Sequence, residues 1–518
     1  MAIRFIPNDP LSVDVLPPRE QPPRPDPGEP AVGFSYTAPV PEAVYQLDSV
    51  EFRFWQCREA ALATLEAWAA LRPPPPAWHN GQRVLPLQHD AGRGLNAHYD
   101  RTAVAFLGWE TAARKTFPAA STDAVAHEVG HALLDAVRPE LWESVYTETA
   151  AFHEAFADCM ALLVSLFDLP SRLALLQGGG QLRVTNFLEG LAEDVAEGVR
   201  LENGANDPQS LPRRALNALQ WEIPVNLPPA GPPAALTAEA HSFSRVFTGC
   251  FYDTVCNIFA SQPNQDEQGL LTAATTAGRL LIAGATTAPE SARFFQAVGR
   301  AMILDDEIAS GGAHHAAIRD GFAGHNIAIG STVMLAPTSR LDGSAPTVDA
   351  AAGTAALPAA ARRDLLERIG ARRGRLNVTG RQIGTQAITM AVHQRGISLG
   401  KLTPRLKGVV TQAAESILVG SSASRPVVLG HLPDARTTLD EVHHFVGTLL
   451  EHGAIGFKTA KRTTAKKAAP ESQALPTHSL QTRGGKTVLK RIRFSCGSPC
   501  VTPVKYPTVP EWTVAAFS

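Results

Sequence analysis

The apolar positions of this chain fall into stretches of helical or strand spacing, separated by polar and proline-rich breaks. Cys57 to Trp68 reads as an amphipathic helix within 52–71, stopped before the run Pro73 to Pro76. Arg83 to Leu87 and Thr102 to Leu107 read as short strands flanking Asn96, at the edge of a sheet. Two helices are predicted near 121–137 and 148–167. The second is apolar on most sides, carrying Ala151, Phe152, Ala155, Phe156, Met160 and Leu163, and so belongs in a core. A stretch rich in Gly, Asn and Pro from Gly178 to Pro233 reads mostly as loop. Helical spacing then resumes at about 241–260, 268–284 and 289–303.

Two carboxylates interrupt the apolar helix near 148–167. Glu154 and Asp158 are four apart and share one face, and an unpartnered carboxylate in a core is costly. Partners are available in His127-Glu128-Val129-Gly130-His131. Its two histidines leave a helix from the same face one turn apart, so both can reach one metal ion, and Glu128 stands beside them to take a proton from an attacking water. A catalytic zinc takes three protein ligands and keeps one position open. Glu154 supplies the third ligand, and Asp158 accepts a hydrogen bond from the distal nitrogen of His127. A cysteine-built zinc site is not expected. Cys57, Cys159, Cys250 and Cys256 are scattered, and Cys496 and Cys500 have no second pair to complete four ligands. Under oxidation those two could form a local disulfide; no other chemistry is assigned to them.

These motifs resemble the thermolysin-like zinc metallopeptidases, gluzincins of the HExxH…E type, over roughly residues 50–330. The segment Asp123 to Asp135 is similar to that family's zinc helix, and Glu154 and Asp158 match its third ligand and supporting carboxylate. The resemblance implies an α+β fold of the zincin class, a small mixed sheet lobe and a helical lobe with one catalytic Zn2+ in the cleft between them. Asn96 and Ala97 fall where the family binds an extended peptide by strand addition. His241, in Ala240-His-Ser-Phe-Ser244, matches the histidine that stabilises the oxyanion, and Tyr146 the tyrosine that shares it. Arg213 matches the arginine that binds a substrate carbonyl, with adjacent Arg214 as the other choice. The chain also departs from the pattern. His153 replaces an asparagine before the third ligand, and His98 and Tyr99 replace apolar aromatics. Glu239 is the nearest carboxylate to support His241, and no acidic cluster suited to structural calcium is evident, so calcium is not predicted.

With 518 residues the chain is long enough for two or three domains. Residues 1–45 are proline-rich and read as extended or disordered, 46–330 as the metallopeptidase domain, and 331–518 as an accessory region of unknown fold. That region holds helix-like stretches at 357–370 and 437–453, a basic linker near 458–467, and an alternating, strand-like run from Thr487 to Phe494. The balance of 47 basic and 49 acidic residues argues against a nucleic-acid partner. The first ten residues lack the apolar core of a signal peptide, and no run is read as reaching membrane-spanning length, so a cytoplasmic location is expected, with export by a non-classical route left open. Six cysteines do not suggest a disulfide scaffold. Taken together, the sequence predicts a zinc-dependent endopeptidase acting on a peptide or protein, of unspecified oligomeric state. Two alternatives stand beside it: a hydrolase of a restricted or non-peptide amide substrate on the same fold, and a non-enzymatic zinc-binding interaction protein whose function lies in the C-terminal region.

Overall fold

Four short strands from the first 110 residues and one from the far end of the chain build a five-stranded mixed sheet. The computed structural model describes residues 2–497 except 30, 112–113, 178–181, 208, 331–336, 350–351, 372–373, 384–385, 423 and 458–475. The basic linker near 458–467 and Cys500 therefore lie outside the described residues. The strand order is Phe494–Gly497, Asn96–Tyr99, Val104–Leu107, Val84–Gln88 and Gly33–Tyr36. The last three run parallel, while Asn96–Tyr99 is antiparallel to both of its neighbours. The alternating run expected from Thr487 to Phe494 is thus two strands. Lys486–Arg491 ends in one sheet, and Phe494–Gly497 begins in another after a two-residue break.

Helices pack beneath this sheet. Thr122–Val137, here the histidine helix, starts at Ser121, whose hydroxyl accepts from the Ala124 amide as an N-cap. Thr147–Phe167, the glutamate helix, lies against it at close range because Gly130 has no side chain. A β-carbon there would stand 2.9 Å from the Ala157 α-carbon. Asp135, at the end of the histidine helix, accepts from the Tyr99 hydroxyl at 2.9 Å and from Arg101, which ties that helix to the sheet edge. Val50–Leu71, Ala240–Ala260, Glu267–Thr287 and Phe294–Ser310 complete a largely continuous apolar core with them. By length and composition the glutamate helix could cross a membrane, which corrects the expectation that no run is long enough. It is nonetheless a core helix: 94% of its apolar window is buried inside the protein.

The chain is mixed α+β, 42% helical and 21% strand. Its first 45 residues are extended over much of their length, yet they are packed. Ile3, Phe5 and Val32 are buried in the main core, and Gly33–Tyr36 joins the mixed sheet. Proline suits such segments because it fixes an extended backbone and lacks only an N–H, which an outer strand can spare.

Residues 337–491 form a second, mainly antiparallel sheet of ten strands among the described residues, with long central strands Gln386–Ser398 and Val409–Ser422. The helix Ala435–Glu451 packs on it and, through Val442 and Phe445, shares an apolar cluster with Val145, Tyr146 and Ala150 of the first lobe. Arg293 pairs with Glu441 at 2.7 Å across the same junction, and Trp142 Nε1 donates to the Arg491 carbonyl at 3.2 Å.

Candidate functional site

The two central helices present one acidic and two imidazole donors to a common point. His127 and His131 each hold Nε2 at 3.3 Å from Glu154 Oε2. Helical spacing of four brings the histidines to one face, and the contact at Gly130 lets the glutamate helix approach closely enough for Glu154 to join them. Cys496 of the tail strand Phe494–Gly497 completes the group. Its Sγ lies 2.6 Å from His127 Nε2, 3.8 Å from His131 Nε2 and 3.4 Å from Glu154 Oε2. These four largely buried side chains could hold a metal ion.

A second ring of contacts fixes the donors. His127 Nδ1 pairs with Asp158 Oδ1 at 2.8 Å, so Nδ1 carries the proton and Nε2 presents its lone pair. Asp158 also receives Arg213, through Nη2 at 2.9 Å and Nε at 3.1 Å. Burial raises the Asp158 carboxyl, but Arg213 and His127 outweigh it and leave the net shift downward. His131 Nδ1 sits 2.8 Å from His153 Nδ1. With His131 Nε2 turned to the cluster, His131 donates and His153 accepts. Histidine therefore performs the support for which an asparagine was expected. Burial holds His153 well below its ordinary pKa, in the neutral form that can accept.

Glu128 lies at the rim of this group with no exposed surface, and neither carboxylate oxygen finds a hydrogen-bond partner of ordinary length among the described residues. Burial, with Glu154 adding to it and His127 opposing it, pushes its pKa up to about 7. Across from it, His241 Nε2 reaches within 3.3 Å of Glu154 Oε2 and 3.7 Å of Cys496 Sγ. Its Nδ1 is held by Glu239 at 2.8 Å, and Glu239 also caps the helix by accepting from the Ser242 amide. Burial lowers the His241 pKa, but the carboxylates of Glu154 and Glu239 overcome it and leave it at about 9. The arrangement can bind a cation, exchange a proton at Glu128 and place a positive imidazole beside Glu154.

His127, Glu128, His131, Glu154, Asp158, Arg213 and His241 therefore come together. Of the two candidate arginines, Arg213 faces the cluster, while Arg214 points away into an ion pair with Glu189. The two alternate on the short strand Arg213–Arg214, whose pairing with Gly190–Leu191 sets which one turns inward. Asn96 and Ala97, expected at the sheet edge, lie instead on its second strand, because the tail strand covers them and pairs Ala97 with Cys496 and Asn96 with Gly497. Tyr146 is the exception. Its hydroxyl donates to the Ala414 carbonyl of the second sheet at 3.1 Å, and it does not line the cleft beside His241 and Glu154. The packing of the C-terminal lobe takes the group that was expected to share the oxyanion.

Beside the cluster lies a cavity of about 310 Å³, walled by both lobes through Glu154, Arg213, His241, Arg245, Phe445 and His452 among others. Sequence reasoning missed Cys496 at this site and the supporting part played by His153. Comparison with protein-family models and with curated proteins finds no match to this chain.

Proposed function

We propose that this chain is a zinc-dependent endopeptidase on a thermolysin-like, zincin-type scaffold. The observation that carries the reading is Glu128, a fully buried carboxylate next to a four-donor cluster whose Glu154 also faces the positively charged His241. A structural metal site needs neither Glu128 nor His241.

The donor set suits zinc, which favours imidazole, carboxylate and thiolate. Zn–N bonds of about 2.0–2.1 Å and a Zn–S bond of about 2.3 Å require tetrahedral edges of roughly 3.3–3.6 Å. Both His–Glu154 separations, at 3.3 Å, and the Cys496–Glu154 separation, at 3.4 Å, agree with this; the Cys496–His127 contact, at 2.6 Å, is tighter than such an edge and the Cys496–His131 separation, at 3.8 Å, is longer. When bound, zinc supplies Lewis acidity, acidifying water and polarising the scissile carbonyl.

The chain's own residues supply the rest. With the tail strand displaced, an extended peptide pairs with Asn96 and Ala97, and Arg213 holds one of its carbonyls. Glu128 takes the proton of the attacking water and hands it to the departing amine. Burial raises the pKa of this carboxylate, which favours its taking a proton. His241, kept protonated by Glu239, donates toward the negative charge that develops on the carbonyl oxygen.

The test is cleavage of casein or a quenched peptide by the zinc-loaded protein beside Glu128→Gln, each also carrying Cys496→Ala so that no thiol competes at the cluster. Glu128→Gln should retain zinc and lose about 10²–10⁴-fold in rate. Equal cleavage with and without the carboxylate would remove Glu128 from the mechanism. No cleavage in any of these proteins would remove the peptidase reading.

A further inference from the structure

The strand Phe494–Gly497 occupies the ground on which a substrate would have to lie. It pairs antiparallel with all four residues of the edge strand, from Phe494 opposite Tyr99 to Gly497 opposite Asn96. Ser495 Oγ donates to Asn96 Oδ1 at 3.0 Å, so the tail takes the side chain as well as the backbone of that edge. The Phe494 ring stacks on His153 at 3.9 Å between centroids and on His131 at 4.7 Å, nearly parallel to both. This places the next-but-one side chain, Cys496, against the metal-donor group, because residues two apart on a strand share a face.

We propose that Cys496 is the fourth ligand of the metal ion and that the tail strand is an internal occupant of the peptide-binding edge, so that the chain as made is a latent peptidase. The inference rests on the peptidase reading for what is being blocked, but not for the ligand itself. A free cysteine in a sheet is ordinary; two features set this one apart. Its sulfur lies within 3.8 Å of donor atoms on His127, His131, Glu154 and also His241. Its sulfur also lies beside the fully buried Glu128 carboxylate, where a thiol hydrogen bond lowers the Glu128 pKa against the effect of burial. On binding, the Cys496 thiol gives up its proton to solvent and its sulfur takes the position that catalysis needs open.

The tail is also anchored. Two residues before it ends the hairpin His478–Arg483 and Lys486–Arg491, fixed to the second sheet, and the Ile492 amide donates to the Thr477 carbonyl at 2.8 Å. Arg491 places its guanidinium 4.2 Å from the Phe494 ring centre and donates to the Trp142 carbonyl. Held in this way, the strand competes with peptides as an intramolecular ligand at high effective concentration. A peptide gains the edge when the tail is displaced, by cleavage or by modification of the thiol.

The test uses the full chain carrying Cys500→Ser, with and without Cys496→Ala, loaded with cobalt(II) for spectroscopy and with zinc for peptide cleavage. Thiolate-to-cobalt charge-transfer absorption in the near ultraviolet is expected in the protein that keeps Cys496. Cys496→Ala should bind cobalt without that band and, as the zinc form, cleave at least about tenfold faster. In the parent, metal should slow the reaction of one thiol with a thiol reagent, and chelation should restore it. Cobalt binding without the thiolate band, or cleavage as fast with Cys496 as without it, would overturn the proposal. A thiolate band with no cleavage by either protein would leave the ligand assigned and sink the peptidase reading, and with it the latency. Cleavage without a band would keep the peptidase reading and sink both the ligand and the latency.

Discussion

Asp158 Oδ1 stands 2.8 Å from His127 Nδ1 and 2.9 Å from Arg213 Nη2, so one carboxylate both orients a histidine of the donor cluster and fixes the arginine beside it. Asp158→Asn removes the charge that favours both contacts. Metal affinity should fall about 10–100-fold, the usual effect of losing such a supporting carboxylate. Competition with a chromophoric chelator measures it, and an unchanged affinity would mean that His127 is oriented by packing alone.

In the proposed mechanism His241 acts through its charge, which the carboxylates of Glu154 and Glu239 favour. His241→Ala should lower kcat by about 10²–10³-fold without loss of metal. Since the active form is protonated, activity should fall on the alkaline side as His241 titrates. Glu239→Gln withdraws a contribution that raises the His241 pKa, so the alkaline limb should move to lower pH. A pH profile of kcat in the variant decides the point; a limb that stays in place assigns the alkaline fall to another group.

Gly130 is required by the distance between two helices. Replacing it with alanine puts a β-carbon 2.9 Å from Ala157 Cα and 3.2 Å from Met160 Cβ. The first of these is backbone and cannot swing aside, so the helices must part. Overpacking of this kind costs about 1–3 kcal/mol. Thermal unfolding should shift downward, and metal affinity should fall with it because His131 and Glu154 sit on opposite sides of the contact. Loss of stability with intact affinity would place the strain elsewhere.

Glu148, fully buried at the start of the glutamate helix, predicts a pH dependence of stability. It accepts from the Phe295 amide at 2.9 Å and the Trp221 ring nitrogen at 3.1 Å. Burial raises its pKa from 4.5 to about 7, with Arg293 opposing the shift. The folded state therefore holds this proton more tightly than the unfolded state does. That contribution is complete below about pH 4.5 and is lost as the pH rises to about 7. At about 1.4 kcal/mol per pH unit it amounts to at most roughly 3–4 kcal/mol. Denaturant unfolding at pH 5 and pH 8 should show a smaller difference for Glu148→Gln than for the parent. An equal difference would exclude Glu148 as its source.

Much of this chain is legible from local periodicity. The spacing of His127 and His131, and of Glu154 and Asp158, fixes which atoms share a helix face whatever the rest of the molecule does. The apolar surround of the two carboxylates announces a buried helix whose charges need partners. Helix positions within the first 330 residues and the short strands beside Asn96 follow from the same rules, with the helix expected at 289–303 beginning later, at Phe294.

What the sequence could not determine depends on contacts between distant segments. Arg213 rather than Arg214 faces Asp158 because a strand pairing of two residues sets the alternation there. Tyr146 is lost to the site because a carbonyl from the second lobe, 268 residues away, claims its hydroxyl. Cys496 meets His127 across 369 residues only because the tail leaves one sheet and completes another. Local sequence fixes side-chain direction along an element through backbone period. Which surfaces then meet is decided by burial and register, summed over the whole chain, and a cysteine near the end of a strand carries no sign of the helix it will face.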